Sequence, residues 1–128
     1  MAISIVRLGS SRRRGEGLRL GTVRRPPRGV PKSPFASQDW YDVWLPALAP
    51  SAVLMRRTVM DENGAWWPMF ARRFQAELNK PEASRLLDLL AALSHQTSFS
   101  VGCYCEDERR CHRSLLRRAL SHRGAIVT

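Results

Sequence analysis

Acidic residues are scarce in this 128-residue chain: 11 Asp and Glu stand against 21 Lys and Arg, leaving a formal charge of +10. That imbalance disfavours cationic partners and favours anionic ones. Long apolar runs are missing as well. Nothing approaches the ~20 residues a membrane-spanning helix needs, so no membrane partner is expected. The N-terminus, Met1-Ala-Ile-Ser-Ile-Val, has no basic stretch before its short apolar run and does not read as a secretory signal. Cysteine is limited to three residues, an odd number gathered in one place, which excludes a framework of disulfide staples. The expected setting is reducing and cytoplasmic, with free or metal-bound thiols. There is no internal repeat, no Walker loop, no serine nucleophile elbow and no His-Glu-x-x-His pair.

The positive charge is uneven. Residues 1–32 carry nine Lys or Arg and only Glu16 as an acid, while residues 106–128 carry six against three. The middle is nearly neutral. Two basic loops are read at 9–17, rich in Gly and Ser, and at 24–34, where four prolines exclude both helix and central strand. Such a field suits an anionic, phosphate-bearing small molecule. Nucleic acid is the second class of partner it suits, and plain solvation of arginine faces is the bland alternative.

Around these loops the periodicities predict a single α/β domain over 1–128, with a small, mostly parallel sheet and helices packed on it. Ile3, Ile5 and Leu8 suggest a first strand, and Leu18, Leu20 and Val23 a second. Ser37 is placed to cap a short helix running through Trp40, Trp44 and Leu45. Residues 52–59 fit helix or strand equally. Trp66, Phe70, Phe74 and Leu78 recur every four residues as one helical stripe, and Leu86, Leu89, Leu90 and Leu93 as another. Alternation from Ser98 to Cys105 predicts a strand, Cys111 to Arg123 a helix, and Ala125 to Val127 a last strand. Residues 98–127 therefore read as a parallel strand–helix–strand unit.

Chemistry concentrates where the Ser98–Cys105 strand leads into the Cys111–Arg123 helix, in Cys103-Tyr-Cys105-Glu-Asp-Glu-Arg-Arg-Cys111-His112-Arg113. A strand-to-helix turn is where open α/β sheets bind ligands, and the first turn of a helix favours anions and lowers a thiol pKa. In one reading Cys111 is a reactive thiol or anion contact, His112 an acid/base and Glu106 an orienter paired with Arg113 or Arg28. Arg24, Arg25, Arg28 and Arg113 then act as clamps and Cys105 adds a ligand contact. Adjacent helical residues diverge by about 100°, so no direct contact between Cys111 and His112 is expected. In a second reading Cys103, Cys105, Cys111 and His112 hold zinc. In a third the cysteines are packing residues. The two Cys-x5-Arg spacings, ending at Arg109 and Arg117, lack the glycines of a phosphate-wrapping loop and are taken as accidental. Whether the protein is an enzyme stays open.

The combination resembles the family called Domain of Unknown Function 488. Cys-x-Cys-Glu106 followed by Cys-His-Arg113 at the start of the last helix is similar to its signature. Ile-Val-Arg-Leu-Gly9, Thr22-Val-Arg24 running into Pro26-Pro-Arg-Gly-Val30, Trp44 to Ser51 and Phe70 to Leu78 resemble its shorter branch, which includes YeaO-like proteins. The resemblance implies a compact α/β domain and no established reaction. It also implies a pairing, with Arg24, Arg25 and Arg28 facing Cys111, His112 and Arg113. Where the long branch carries Asp before the strand-end arginine, this chain has Thr22.

Overall fold

The computed structural model describes residues 1–27, residue 29 and residues 39–128. Its chain order is β1 (Ile3–Arg7), β2 (Leu18–Gly21), β3 (Val43–Trp44), α1 (Ala52–Arg57), α2 (Trp67–Leu78), α3 (Pro81–Leu93), β4 (Phe99–Cys103) and α4 (His112–His122). Short 3-10 turns cover Pro46–Leu48 and Glu108–Arg110. The four strands form one sheet in the order β1-β4-β2-β3, and every pairing is parallel. This is the α/β class that the alternating pattern predicts. Among the described residues no helix is long and apolar enough to cross a membrane.

A parallel strand in the middle of a sheet is covered on both faces, and all five residues of β4 are buried. On one face Ile3, Leu20, Phe99 and Val101 share a core with residues of all four helices, among them Leu54, Phe74, Leu87 and Leu116. The opposite face is apolar around Gly21 and Gly102, where Tyr41 and Leu8 pack, and polar around Arg19 and Ser100, where the first basic loop meets it. There Arg19 is wholly buried. It gives two hydrogen bonds to Glu16, at 2.8 and 3.0 Å, and two more to the carbonyls of Ser10 and Asp39. Ser100 on β4 donates to the same carboxylate at 2.7 Å. Burial alone would raise the Glu16 pKa, but the hydrogen bonds from Arg19, Ser100 and the Arg13 backbone outweigh it and bring it to about 2.

Three local expectations need correction. Ser37 lies outside the described residues, and the segment it was to cap is not helical: Val43 and Trp44 pair with Leu20 and Gly21 as an edge strand. The Trp44 indole donates to the Val23 carbonyl at 2.7 Å, and Pro46, which no helix interior accepts, follows at once. The buried face of α3 is Ala83, Leu87, Leu90 and Ala91, whereas Leu89 is 54% exposed and Leu93 37%. Leucine occurs on more than one face of this helix, and the two small alanines mark the side that packs closely. The last strand reduces to one parallel bridge, Val127 to Ile3, so β1 lies between it and β4. The ambiguous stretch at 52–59 resolves into α1, capped by the Ser51 hydroxyl, which accepts from the Leu54 amide at 3.1 Å.

Candidate functional site

Because every strand is parallel, all the strand ends face one way, and the polypeptide leaving β1, β2 and β4 meets the first turn of α4 at one edge. A cavity of about 710 Å³ opens there. Its floor holds Cys103, Cys105, Cys111 and His112; Trp40, Trp66, Phe70, Met55 and Met60 contribute apolar wall; Arg7, Arg24, Arg25, Arg56 and Arg110 also line it. These arginines are all exposed, whereas Cys103, Cys111 and His112 are 6%, 2% and 7% exposed. Charge at the mouth and sulfur at the floor follow from this division.

The sulfur and nitrogen atoms converge. Cys103 Sγ lies 3.8 Å from Cys105 Sγ, and Cys111 Sγ lies 3.8 Å from His112 Nδ1. The donor atoms of Cys103, Cys111 and His112 are all within 4.8 Å of one another, so these three residues can hold a metal ion. The expectation that Cys111 and His112 diverge is overturned, for a local reason. Cys111 is not yet helical: it is the N-cap of α4, at φ −126° and ψ 150°. The 100° step between helical neighbours does not apply across that junction. His112 Nε2 is 2.6 Å from the Thr22 carbonyl, which only accepts, so this nitrogen carries a proton. In the neutral ring the Nδ1 lone pair is then aimed at Cys111. Phe74 packs edge-on against the imidazole, with centroids 5.6 Å apart.

Within the cluster the Cys111 pKa is lowered, first by the hydrogen bond from Cys103, then by that from Cys105, with His112 adding to them against the effect of burial. Cys103 moves the other way, because donating to Cys105 and to Cys111 stabilises its protonated form. Cys105 is raised too: Cys103 would lower it, but its bond to Cys111 and its burial prevail. Of the three thiols, Cys111 is thus the one that gives up its proton most readily.

The other expected site residues divide. Arg24 and Arg25 do reach the cavity. The Arg24 guanidinium is engaged with the carbonyls of Pro46, Ala49 and Pro50 at 3.1–3.2 Å, and so ties the strand-end loop to the 46–50 segment. The Arg25 carbonyl accepts from the Tyr104 hydroxyl at 2.8 Å, which ties Arg25 to the segment that follows β4. Arg28 lies outside the described residues. Arg113 is buried behind the cluster, 3% exposed, and donates to the Cys105 carbonyl at 2.6 Å. Its Nε–H has no acceptor among the described residues. Glu106 is 83% exposed at its side chain and pairs with Arg7 at 3.6 Å, not with Arg113. Arg109 bonds Asp107 and Arg117 bonds Glu108, so neither Cys-x5-Arg spacing forms a loop around an anion.

Sequence reasoning missed three contributors. The Thr22 carbonyl orients His112, and a backbone acceptor leaves no side-chain signal. Trp66 and Phe70 were assigned to core alone, although both also line the cavity; Trp66, at the outer end of its stripe, is only half-buried.

Searches of curated proteins and of solved structures give no match. One family model does match, over residues 3–124, and it is described as the Active DUF488-N3 subclade. The chain therefore belongs to the Domain of Unknown Function 488 family, as a member of that subclade.

Proposed function

We propose that the cavity binds a small anionic molecule with an apolar part, phosphate-bearing in the simplest case, and that the Cys-His cluster on its floor acts on it. The observation that carries this reading is the setting of His112. Its Nε2–H is tied to the Thr22 carbonyl and its Nδ1 faces Cys111 Sγ on the cavity floor. A base held by a third group and turned towards a sulfur is the arrangement of thiol-dependent catalysis. The proton of Cys111 passes to Nδ1, and the resulting imidazolium keeps its bond to the carbonyl. Arg25 and Arg56, exposed at the cavity, supply charge for the ligand. Arg24 is a positioning residue. The apolar walls argue against bare phosphate as the full ligand, since they would have nothing to cover.

The test is thermal unfolding in inorganic phosphate, pyrophosphate and a panel of aromatic and aliphatic phosphate esters, at matched ionic strength. Esters should raise Tm more than phosphate does, and the Arg25→Ala, Arg56→Ala double variant should lose the gain. Phosphorus NMR of the best binder should then show conversion that His112→Gln abolishes. Equal Tm throughout the panel refutes the reading. Tight binding of random duplex DNA that weakens steeply with salt and ignores Cys111→Ser would favour the nucleic-acid alternative.

A further inference from the structure

The geometry points to a zinc site in which Cys103, Cys111 and His112 are the held ligands and Cys105 is a displaceable fourth. This rests on the functional reading above and names its cofactor; it changes two roles, since the Cys111 sulfur and the His112 Nδ1 become ligands and the metal the electrophile at the cavity floor.

Three observations carry it. First, the donor set and its spacing fit. With Zn–S near 2.3 Å and Zn–N near 2.0–2.1 Å, a tetrahedral site sets two sulfurs about 3.8 Å apart and a sulfur and a nitrogen about 3.6 Å apart. Cys103–Cys105 and Cys111–His112 are each 3.8 Å apart, and the donors of Cys103, Cys111 and His112, without Cys105, all lie within 4.8 Å of one another. Second, the imidazole is fixed as metal-bound histidines are, with its other N–H on a backbone carbonyl and its lone pair turned to the cluster. Third, Arg113 is a buried cation that makes no ion pair among the described residues, and its Nε–H lacks an acceptor. An uncompensated buried charge is costly. Three thiolates around Zn²⁺ leave one net negative charge beside that guanidinium, which supplies the missing counter-charge.

Cys105 differs from its partners. It is exposed and stands just beyond the end of β4, while the other three are buried. All four line the cavity. Release of Cys105 leaves two thiolates and one imidazole on the metal, and a coordination position open to an anionic ligand. Structural zinc sites are closed and catalytic ones keep such a position.

The experiment is metal analysis of the full chain purified under reducing conditions, followed by cobalt substitution and absorption spectroscopy. One zinc per chain is expected. The cobalt form should show the strong visible bands of tetrahedral geometry and sulfur-to-cobalt charge transfer. Cys105→Ser should keep one metal and the visible bands, with charge transfer reduced by about a third. Cys111→Ser should lose the metal. Arg113→Met should weaken zinc binding about 10–100-fold, as loss of an outer partner does, and Arg113→Lys should restore it. Circular dichroism checks that each variant folds, and the wild-type titration needs no variant. Absence of both zinc and a tetrahedral cobalt spectrum in the wild type overturns the inference; ester-induced gains in Tm of that metal-free protein would leave the functional reading standing. Zinc bound with no response to any ester sinks that reading instead. Loss of metal from Cys105→Ser as complete as from Cys111→Ser overturns the displaceable role.

Discussion

Glu16→Gln isolates the device that seats the first basic loop on the sheet. The carboxylate is 2% exposed at its side chain, and its charge meets Arg19 at 2.8 Å. In an unfolded chain its pKa is about 4.3, and here it is about 2, so at 1.36 kcal/mol per tenfold the folded state gains about 3 kcal/mol from its ionisation. The pKa is depressed on folding. The contribution is therefore complete above about pH 5, and it is lost as pH falls towards 2. Glutamine keeps the shape and one acceptor but leaves the Arg19 guanidinium without a counter-charge. Breaking a buried pair from one side costs about 3–5 kcal/mol, a large share of the roughly 5–15 kcal/mol that holds a small domain together. Urea unfolding followed by circular dichroism, at steps from pH 7 to pH 2.5, measures the difference between wild type and variant. That difference should be about 3 kcal/mol or more at pH 7, unchanged at pH 5, and closing below pH 4. Other titrating carboxylates, Asp42 among them, act on both proteins and cancel. A difference that stays constant down to pH 2.5, or is absent at pH 7, refutes the assignment of this energy to Glu16.

Gly17→Ala should cost far more than Gly15→Ala in urea midpoints. Both glycines have φ near +80°, a cost of about 1–2 kcal/mol for alanine, but only at Gly17 would the new carbon come within 1.9 Å of the Ser98 carbonyl oxygen. Leu89→Glu should leave Tm nearly unchanged because that side chain is 54% exposed, whereas Ala83→Leu should lower stability by about 1–3 kcal/mol through overpacking. The opposite ranking would restore the leucine stripe as the buried face of α3. Arg24→Ala should cost about 1–2 kcal/mol in the same assay, since three carbonyls at 46–50 lose a charged donor. No change there would show that the strand-end loop is held by other contacts.

Much of this fold is legible in the residues, and the exceptions have physical causes. The period-four stripe of Phe70, Phe74 and Leu78 is visible because large apolar side chains mark a single face of α2. Leucine lies on several faces of α3, so its buried side is set by small residues instead, and a count of apolar positions selects the wrong stripe. Val43 and Trp44 are too short a strand to leave an alternation; what fixes them is pairing with β2, a contact outside any local window. Glu16 reads as one acid in a basic loop, and its partner three residues away becomes special only when the sheet buries both.

The candidate site shows the same division in a sharper form. Alternation predicts Cys103 and Cys105 on one side of a strand, but β4 ends at Cys103 and Cys105 lies in the turn that follows, so their 3.8 Å approach comes from that turn and not from the strand period. The convergence of Cys111 with His112 depends on one residue staying extended before the helix begins. The third element, the Thr22 carbonyl, is 90 positions from His112 in the chain. It arrives there because β2 runs beside β4 in the same direction: the Thr22 amide bonds to the Gly102 carbonyl at 3.0 Å, which carries the next step of the backbone over the Cys-His turn. A side-chain motif can name the sulfurs and the ring. The orientation that turns the ring's lone pair towards Cys111 comes from parallel strand register, and a chain with the same motif on a shifted β2 would have the sulfurs and the ring without that alignment.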